Sequence, residues 1–244
     1  MDVTVFDRLT PDMVRRDPFP HIVVDDALDD RLFRELIACR PGTPLANDKA
    51  PNRRAPISAR MIRLLDHYPQ PWKRFVTRHV QPDVARRVFE LFRDVWPSHL
   101  PDLDDRNLRF GVREEDSHAD CDILCDARLE IVTPAWRPGT HRRGHLDMPN
   151  RLFSALWYLR PPEDDSTGGG LEIFRWRSER AASLAVNELS ADLLELVETI
   201  PYRGNRLVVF PNSPDPLHGS EMRGATRHDR AFAFITAEVE RPLF

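Results

Sequence analysis

His145-Leu146-Asp147 is the stretch around which this chain is organised. Side chains on an extended strand alternate between its two faces, so His145 and Asp147 are expected on the same face. The segment Leu217-His218-Gly219-Ser220, far downstream, brings a further histidine. Two histidines and one carboxylate form the facial triad that binds mononuclear non-haem Fe(II) and leaves coordination positions open. We therefore predict that His145, Asp147 and His218 are the metal ligands of a catalytic centre.

Other uses of these residue types have to be weighed against that prediction. A His-x-Asp tripeptide also occurs by chance in solvated surface turns. His118 and Asp120 repeat the spacing, but they lie in an acidic loop without a strand around it. Cys121 and Cys125 have no second cysteine pair that would close a structural zinc site, which favours reduced thiols.

The composition is that of an ordinary globular protein. The chain has 244 residues, of which 41% are hydrophobic and 30% charged, and we expect a single domain over 1–244. A net charge of −4 lacks the basic excess of a nucleic-acid-binding protein. The first residues do not have the pattern of a secretory leader, and no run of 18 apolar residues predicts a membrane span. We therefore expect a cytoplasmic protein without nucleic-acid or membrane partners.

The segment 1–106 is expected to supply a first strand and supporting helices. Residues 18–26 are β-branched and bounded by prolines, which predicts a short strand. A helix is predicted over 31–39, with Asp29 or Asp30 as its cap, and helical periodicity continues over 71–96. Pro82 should end one helix there or begin the next.

Residues 41–60 are predicted to form a long basic loop. Their charged residues are Lys49, Arg53, Arg54 and Arg60. Such a loop is either a solvated connection or a lid over a substrate. His67 and His79, which follow it, are expected to be surface or packing residues rather than ligands.

The segment 107–244 is expected to form the β-rich catalytic core. Alternating or continuous apolar patterns predict strands over 108–113, 129–134, 151–160, 171–176, 205–210 and 230–236. Turn signals separate these runs, and the residues around His145 also read as a strand. Residues 189–200 are predicted to be a short helical insertion with an acidic face.

The order of features from about 134 to 236 resembles the iron(II)/2-oxoglutarate-dependent dioxygenases, in their prolyl-hydroxylase-like branch. The shared features are Pro138-Gly139, His145-x-Asp147, an Arg-led strand ending in Tyr158-Leu159, Gly169-Gly170 before an apolar strand, Asn205-Arg206-Leu207-Val208-Val209-Phe210 and an arginine heading the last strand. Each feature is weak alone, and their joint order is fairly specific. The segment 18–39 also looks like the lead-in of this group.

The resemblance implies a mainly β protein with flanking helices, a double-stranded β-helix of the jelly-roll, cupin-like type. It implies Fe(II), 2-oxoglutarate and O2, with ascorbate as an optional addition. Arg230 matches the clamp for the distal carboxylate of 2-oxoglutarate because it heads an apolar strand, and Arg227 is the alternative. Tyr158 matches a tyrosine that contacts the same carboxylate. Trp136 stands where relatives place another tyrosine, a departure that leaves that contact open.

The implied activity is hydroxylation or another oxidation of an unactivated C–H bond, with formation of succinate and CO2. The presence of Asp147 argues against a halogenase. The substrate would be a small molecule or an amino-acid-like or peptidyl compound. Arg142, Arg143 and the loop around Arg53 either attract an anionic substrate or are surface charge. The alternatives are a non-catalytic jelly-roll module that binds a metal or another ligand, and a structural protein whose histidines are core residues.

Overall fold

The computed structural model describes residues 3–44, 50–178 and 188–244. Its helices are α1 Asp30–Ala38, α2 Ala59–Leu64, α3 Gln70–His79 and α4 Pro82–Phe92. Its strands are β1 Ile22–Val24, β2 Arg54–Ile57, β3 Phe110–Val112, β4 Ile123–Val132, β5 Arg151–Tyr158, β6 Leu171–Trp176, β7 Leu194–Ile200, β8 Leu207–Pro211, β9 His218–Ser220 and β10 Arg230–Glu238. Short 3-10 turns lie at Pro11–Met13, Arg93–Val95 and Ala191–Leu193.

Two sheets form the β-rich part of the chain. The larger has seven strands in the order β1-β8-β5-β10-β4-β2, with β3 added in parallel to β4. The smaller has the order β7-β6-β9 and is antiparallel throughout. An apolar cluster with residues from both sheets, among them Leu156, Phe232 and Ile173, lies between them. The predicted mainly β, double-stranded β-helix with flanking helices is confirmed.

The predicted helix boundaries follow from caps and prolines. Asp29 is the N-cap of α1, and its side chain accepts hydrogen bonds from the backbone N–H groups of Arg31 and Leu32. Pro82 is the first residue of α4, where its missing N–H costs nothing. The helical run over 71–96 is therefore two helices, as the position of this proline indicated.

The large sheet has a helix-covered apolar face and an inner face that carries charge. On β4 the residues Ile123, Cys125, Ala127, Leu129 and Ile131 belong to the main core, which also contains the apolar residues of the helices. Trp157 of β5 stacks on Phe75 of α3 with ring centroids 5.0 Å apart. The alternate residues of β4, Asp126, Arg128 and Glu130, point the other way because of the two-residue period. The fold thus places three charged side chains on the inner face.

The sequence-based predictions for residues 189–200 and for part of 41–60 are wrong. Residues 189–200 are not a helix: β7 covers Leu194–Ile200 and pairs with β6 in an antiparallel register. The hydrogen bonds of that ladder outweigh the local helical preference, and only the end residues of β7 are buried. Within 41–60, Arg54–Ile57 is not loop but β2, which pairs with β4. Lys49 lies outside the described residues.

The first 106 residues contribute to the sheet as well as covering it. β1 is hydrogen-bonded to β8, and β2 is hydrogen-bonded to β4.

Among the described residues, no helix has both the length and the hydropathy that crossing a membrane requires.

His79 is fixed in the core by two hydrogen bonds. Its Nδ1 lies 2.8 Å from the carbonyl oxygen of Phe75, and its Nε2 accepts the backbone N–H of Val5 at 3.1 Å. A neutral ring with its proton on Nδ1 satisfies both contacts, whereas a second proton would face the Val5 donor. Burial lowers the pKa of His79 to about 4. The expectation of a packing role fits this placement.

Because the pKa of His79 is lower in the folded than in the unfolded chain, its contribution to stability should be fully present above about pH 6.5. It should be lost as the pH falls towards 4, by about 3 kcal/mol in total. Urea unfolding between pH 7 and pH 4 measures this. His79→Gln, which keeps one donor and one acceptor, should show a shallower pH dependence than the wild type. Equal slopes for the two proteins would contradict this role of His79.

Candidate metal centre

A single backbone bridge joins the two predicted histidine ligands. The N–H of His145 donates to the carbonyl oxygen of His218 at 2.9 Å, and the N–H of His218 donates back at 3.1 Å. The expectation of a full strand around His145 is wrong, because His145 forms only this isolated bridge and lies outside the named strands. The local geometry still alternates, since Leu146 packs with Leu194 and Leu217 while its neighbours turn the other way.

Both imidazole rings are held by the same kind of contact. The Nδ1 of His145 lies 2.8 Å from the carbonyl oxygen of Arg143, and the Nδ1 of His218 lies 2.8 Å from that of Pro216. A carbonyl oxygen only accepts, so each Nδ1 carries the proton. Each Nε2 is left with a lone pair, and the ring centroids are 4.4 Å apart. The two rings therefore present donor atoms to one point.

Asp147 completes the group from the same segment as His145. Its Oδ1 lies 3.9 Å from the Nε2 of His145, and its Oδ2 lies 3.7 Å from the Nε2 of His218. Ser154 donates its hydroxyl proton to Oδ2 at 2.5 Å, and Arg151 contacts Oδ1 at 2.8 Å. These two contacts fix the orientation of the carboxylate.

The protonation states suit metal binding. Burial and the neighbouring His218 lower the pKa of His145 to about 2, and burial also lowers the pKa of His218. For Asp147, burial opposes ionisation, but Arg151 and the two histidines outweigh it and lower the pKa of the carboxyl group. At neutral pH the group thus consists of two neutral imidazoles and one carboxylate.

These three residues fit a divalent cation. Their donor atoms all lie within 4.8 Å of one another, and all three residues are buried. Two imidazole nitrogens and a carboxylate oxygen are donors that suit Fe(II), and the described residues add no thiolate to the group. The backbone carbonyls that orient the imidazoles are the outer-shell partners found at histidine–metal sites.

A cavity of about 140 Å³ opens beside the three donors. Besides His145, Asp147 and His218, it is lined by Arg54, Arg128, His141, Arg142, Met148, Arg151, Leu156, Leu171, Gly219, Ser220, Arg230, Phe232 and Phe234. The cavity is therefore apolar on the side of the intersheet core and basic on the other side.

Arg230, at the start of β10, is buried and points into this cavity. Its Nε donates to the carbonyl oxygen of Gly169 at 2.5 Å, while its Nη1 is buried without a hydrogen-bond partner in the described structure. Gly169 has a φ of +78°, which a side chain would strain. The guanidinium carbon lies 5.2 Å from the ring centroid of Tyr158 and 5.3 Å from that of Tyr202. The glycine and the two rings hold Arg230 in place and leave one donor free.

The cavity lining in the described structure does not include the other two residues expected to bind 2-oxoglutarate, Arg227 and Tyr158. Arg227 is exposed and is not among the described residues that line the cavity. Tyr158 is fully buried behind Arg230, and its hydroxyl oxygen meets no hydrogen-bond partner of good geometry within the described residues. Trp136 is 65% exposed and packs against Arg137.

Sequence reasoning missed several cavity residues. Arg128, Arg151 and His141 were given no role at the site, and Arg54 was considered only as part of the basic loop over 41–60. A signal existed for Arg128, because Asp126, Arg128 and Glu130 interrupt an otherwise apolar strand at every second position. A charged series with that period indicates a polar sheet face turned to an interior. Arg151 heads its strand just as Arg230 does.

A second group of possible metal donors lies apart from the cavity lining. It consists of Asp164, Asp165 and His228, in which Asp165 is exposed and His228 lies 3.4 Å from it. The competing pair His118 and Asp120 belongs to neither group found in the described residues. The Nδ1 of His118 instead lies 3.3 Å from the carbonyl oxygen of Cys121.

Comparison with solved structures gives matches over nearly the whole chain. A prolyl 4-hydroxylase from Phytophthora capsici has a TM-score of 0.52 at 12% identity, over 96% of this chain and 64% of that one. IDO from Bacillus thuringiensis has a TM-score of 0.51 at 10% identity, over 91% of this chain and 90% of that one. A Pseudomonas putida prolyl-4-hydroxylase has a TM-score of 0.48 at 14% identity, over 90% and 92% of the two chains.

The chain has the fold of the prolyl 4-hydroxylases. This confirms the resemblance drawn from the order of sequence features. No model of a protein family matches the sequence, and no curated protein matches it. At 10% and 12% identity, the likeness to a prolyl 4-hydroxylase and to IDO establishes the fold alone, and the chemistry has to be argued from the residues of this chain.

Mn(II) or Fe(II) should stabilise the protein by mass action, by about 2.7 kcal/mol at a concentration one hundred times the Kd. His145→Ala should abolish the effect, because the backbone bridge survives and only the Nε2 donor is lost. Thermal unfolding with and without Mn(II) in the absence of oxygen measures this. His67→Ala, which changes an exposed histidine, is the matched control and should keep the full shift. An unchanged shift in His145→Ala would rule out the site.

Proposed function

We propose that the protein is an Fe(II)- and 2-oxoglutarate-dependent oxygenase. His145, Asp147 and His218 would hold Fe(II), and Arg230 would bind the distal carboxylate of 2-oxoglutarate. The observation that carries the proposal is that three metal donors and a buried arginine with an unpartnered Nη1 line one cavity. The prolyl 4-hydroxylase fold supports it as a likeness of architecture.

The chemistry of the bound groups would be oxidative. Fe(II) with 2-oxoglutarate and dioxygen supplies the oxidation of an unactivated C–H bond, with formation of succinate and CO2. Hydroxylation is the outcome we propose for a small or peptide-like substrate, with ascorbate as an optional reductant.

The residues of the chain would bind the metal and 2-oxoglutarate, orient them, and exclude water from the cavity. Ser154 and Arg151 hold the Asp147 carboxylate against the two imidazoles, which fixes the geometry of the three donors. Arg230 would give 2-oxoglutarate a charge-assisted hydrogen bond from a site that burial keeps dry. Leu156 and Phe232 form the apolar wall of the same cavity.

Between the two candidate arginines, burial and orientation favour Arg230. Arg227 is exposed, so a carboxylate bound there would remain in water and gain little from the charge. Arg230 offers its free donor inside the cavity. Tyr158, whose buried hydroxyl also lacks a partner of good geometry among the described residues, is proposed to add a hydrogen bond or to support the guanidinium through its ring.

Arg230→Gln should weaken 2-oxoglutarate binding to the Mn(II)-loaded protein about 30-fold or more, because a charge-assisted hydrogen bond of about 2–3 kcal/mol is lost. Isothermal titration calorimetry without oxygen measures the affinity. Arg227→Gln is the matched control, at the same residue type three positions away, and should bind as the wild type does. Weaker binding by Arg227→Gln, with Arg230→Gln unchanged, would show that Arg227 binds the distal carboxylate instead.

Turnover separates an enzyme from a binding module with the same fold. With Fe(II), 2-oxoglutarate and air, the wild type should release succinate slowly alone and faster with fractions of a metabolite extract that contain the substrate. His218→Ala should release none above the rate of free iron. A wild type that binds both groups and never exceeds the His218→Ala rate would be a non-catalytic jelly-roll module.

A further inference from the structure

The metal-side cavity is lined by more positive charge than the proposed co-substrate needs. Five arginines line it: Arg54, Arg128, Arg142, Arg151 and Arg230. Among the described lining residues, Asp147 is the single carboxylate. If Arg230 binds 2-oxoglutarate, four other guanidinium groups remain on the cavity wall.

Arg54 and Arg128 pair with carboxylates just behind the cavity wall. Arg54 contacts Glu130 with two nitrogens, and Arg128 contacts both Glu130 and Asp126. The side chains of Glu130 and Asp126 are 1% and 2% exposed, so these pairs are interior ones. Their charges largely cancel within the wall of the cavity.

Among the described residues, the charge of Arg151 is balanced by Asp147, the carboxylate that the metal would bind. Its Nη1 lies 2.8 Å from Oδ1 of Asp147, and its Nε is buried without a partner in the described structure. Its guanidinium carbon lies 4.9 Å from the ring centroid of Phe234, which fixes its position. A divalent cation on Asp147 would leave the charge of Arg151 uncompensated inside a buried site, which is unfavourable unless an anion arrives.

Arg142 lies on the same cavity and adds to the positive field. It is half-buried, and burial lowers its pKa, with Arg54 and Arg151 acting in the same direction. Arg143, the next residue, is exposed and lines no part of the cavity in the described structure. The sequence left both as candidates for attracting an anion, and the structure separates them.

We propose that the substrate carries an anionic group, a carboxylate or a phosphate, which Arg142 and Arg151 bind beside the metal. The proposal rests on the proposed function, because it assigns Asp147 to the metal and Arg230 to 2-oxoglutarate. A guanidinium pair gives such a group several charge-assisted hydrogen bonds. The bound anion would restore charge balance at Arg151 and direct the adjacent C–H bond toward the metal.

The test uses small probes on the protein loaded with Mn(II) and saturated with 2-oxoglutarate in the absence of oxygen. The probes are acetate, methyl phosphate and the neutral acetamide, and the readout is relaxation of their methyl protons by the bound Mn(II). Acetate or methyl phosphate should be relaxed in a saturable way, and acetamide should not. Which of the two anions binds more tightly distinguishes a carboxylate from a phosphate substrate.

Variants decide whether the arginines bind the probe. Arg142→Gln should weaken binding of the preferred anion at least tenfold, and Arg143→Gln, which leaves the backbone contacts of that segment intact, should change it less than twofold. Arg151→Gln should behave as Arg142→Gln does if it still binds Mn(II). An anion bound equally by wild type and Arg142→Gln would be a ligand of the metal alone and would overturn the proposal. Acetamide binding as well as acetate would overturn it too.

Failure of the proposed function has a different signature. If the wild type takes up neither Mn(II) nor 2-oxoglutarate, the oxygenase proposal fails, and the same probes are then measured by saturation-transfer NMR on the metal-free protein. If the wild type then binds an anion and Arg142→Gln does not, the anion site is supported even though the oxygenase proposal has failed. Absence of such binding would end both proposals.

Discussion

The reciprocal backbone hydrogen bonds between His145 and His218 are the constraint on which the site depends. They join two segments that are distant in sequence and place two histidine side chains next to each other at a hydrogen-bonded pair of an antiparallel bridge. Each ring is then turned by a carbonyl two residues earlier in its own segment, so that both Nε2 atoms face Asp147. Backbone contacts thus place the two histidine donors, and the side chains of Ser154 and Arg151 orient the third donor, Asp147.

The large sheet makes this arrangement possible by dividing its two faces. Apolar residues such as Trp157 anchor the outer face to the helices, which leaves the inner face free to carry Arg128, Glu130 and Arg230. Charged groups on an inner face are costly unless they are paired or bind a ligand. Arg128 is paired with Glu130, whereas the buried Nη1 of Arg230 has no partner in the part of the chain that the structure describes. The unpaired donors therefore mark where ligands are proposed to bind.

Much of this architecture can be predicted from local patterns. Apolar patterns along the chain predicted β4, β5, β6, β8 and β10, and Pro82 predicted the boundary between α3 and α4. These signals can be recognised because they act within a few residues. Pairing partners are non-local, which is why β7 was mistaken for a helix and β2 for loop. The residue types and spacing of His145, Asp147 and His218 identified them as candidate ligands. Their metal-binding role stays a prediction. The meeting of Arg54, Arg128 and Arg151 in one basic wall was not predicted, because three separate strands contribute to it.

The position of a bound metal decides whether His145, Asp147 and His218 form an iron site. A crystal of the protein grown with Fe(II) and 2-oxoglutarate without oxygen, measured at the iron absorption edge, locates the metal by its anomalous scattering. We expect one strong peak roughly 2 Å from the Nε2 atoms of His145 and His218 and from a carboxylate oxygen of Asp147. A peak at Asp164, Asp165 and His228 instead, or none between the two histidines, would contradict it.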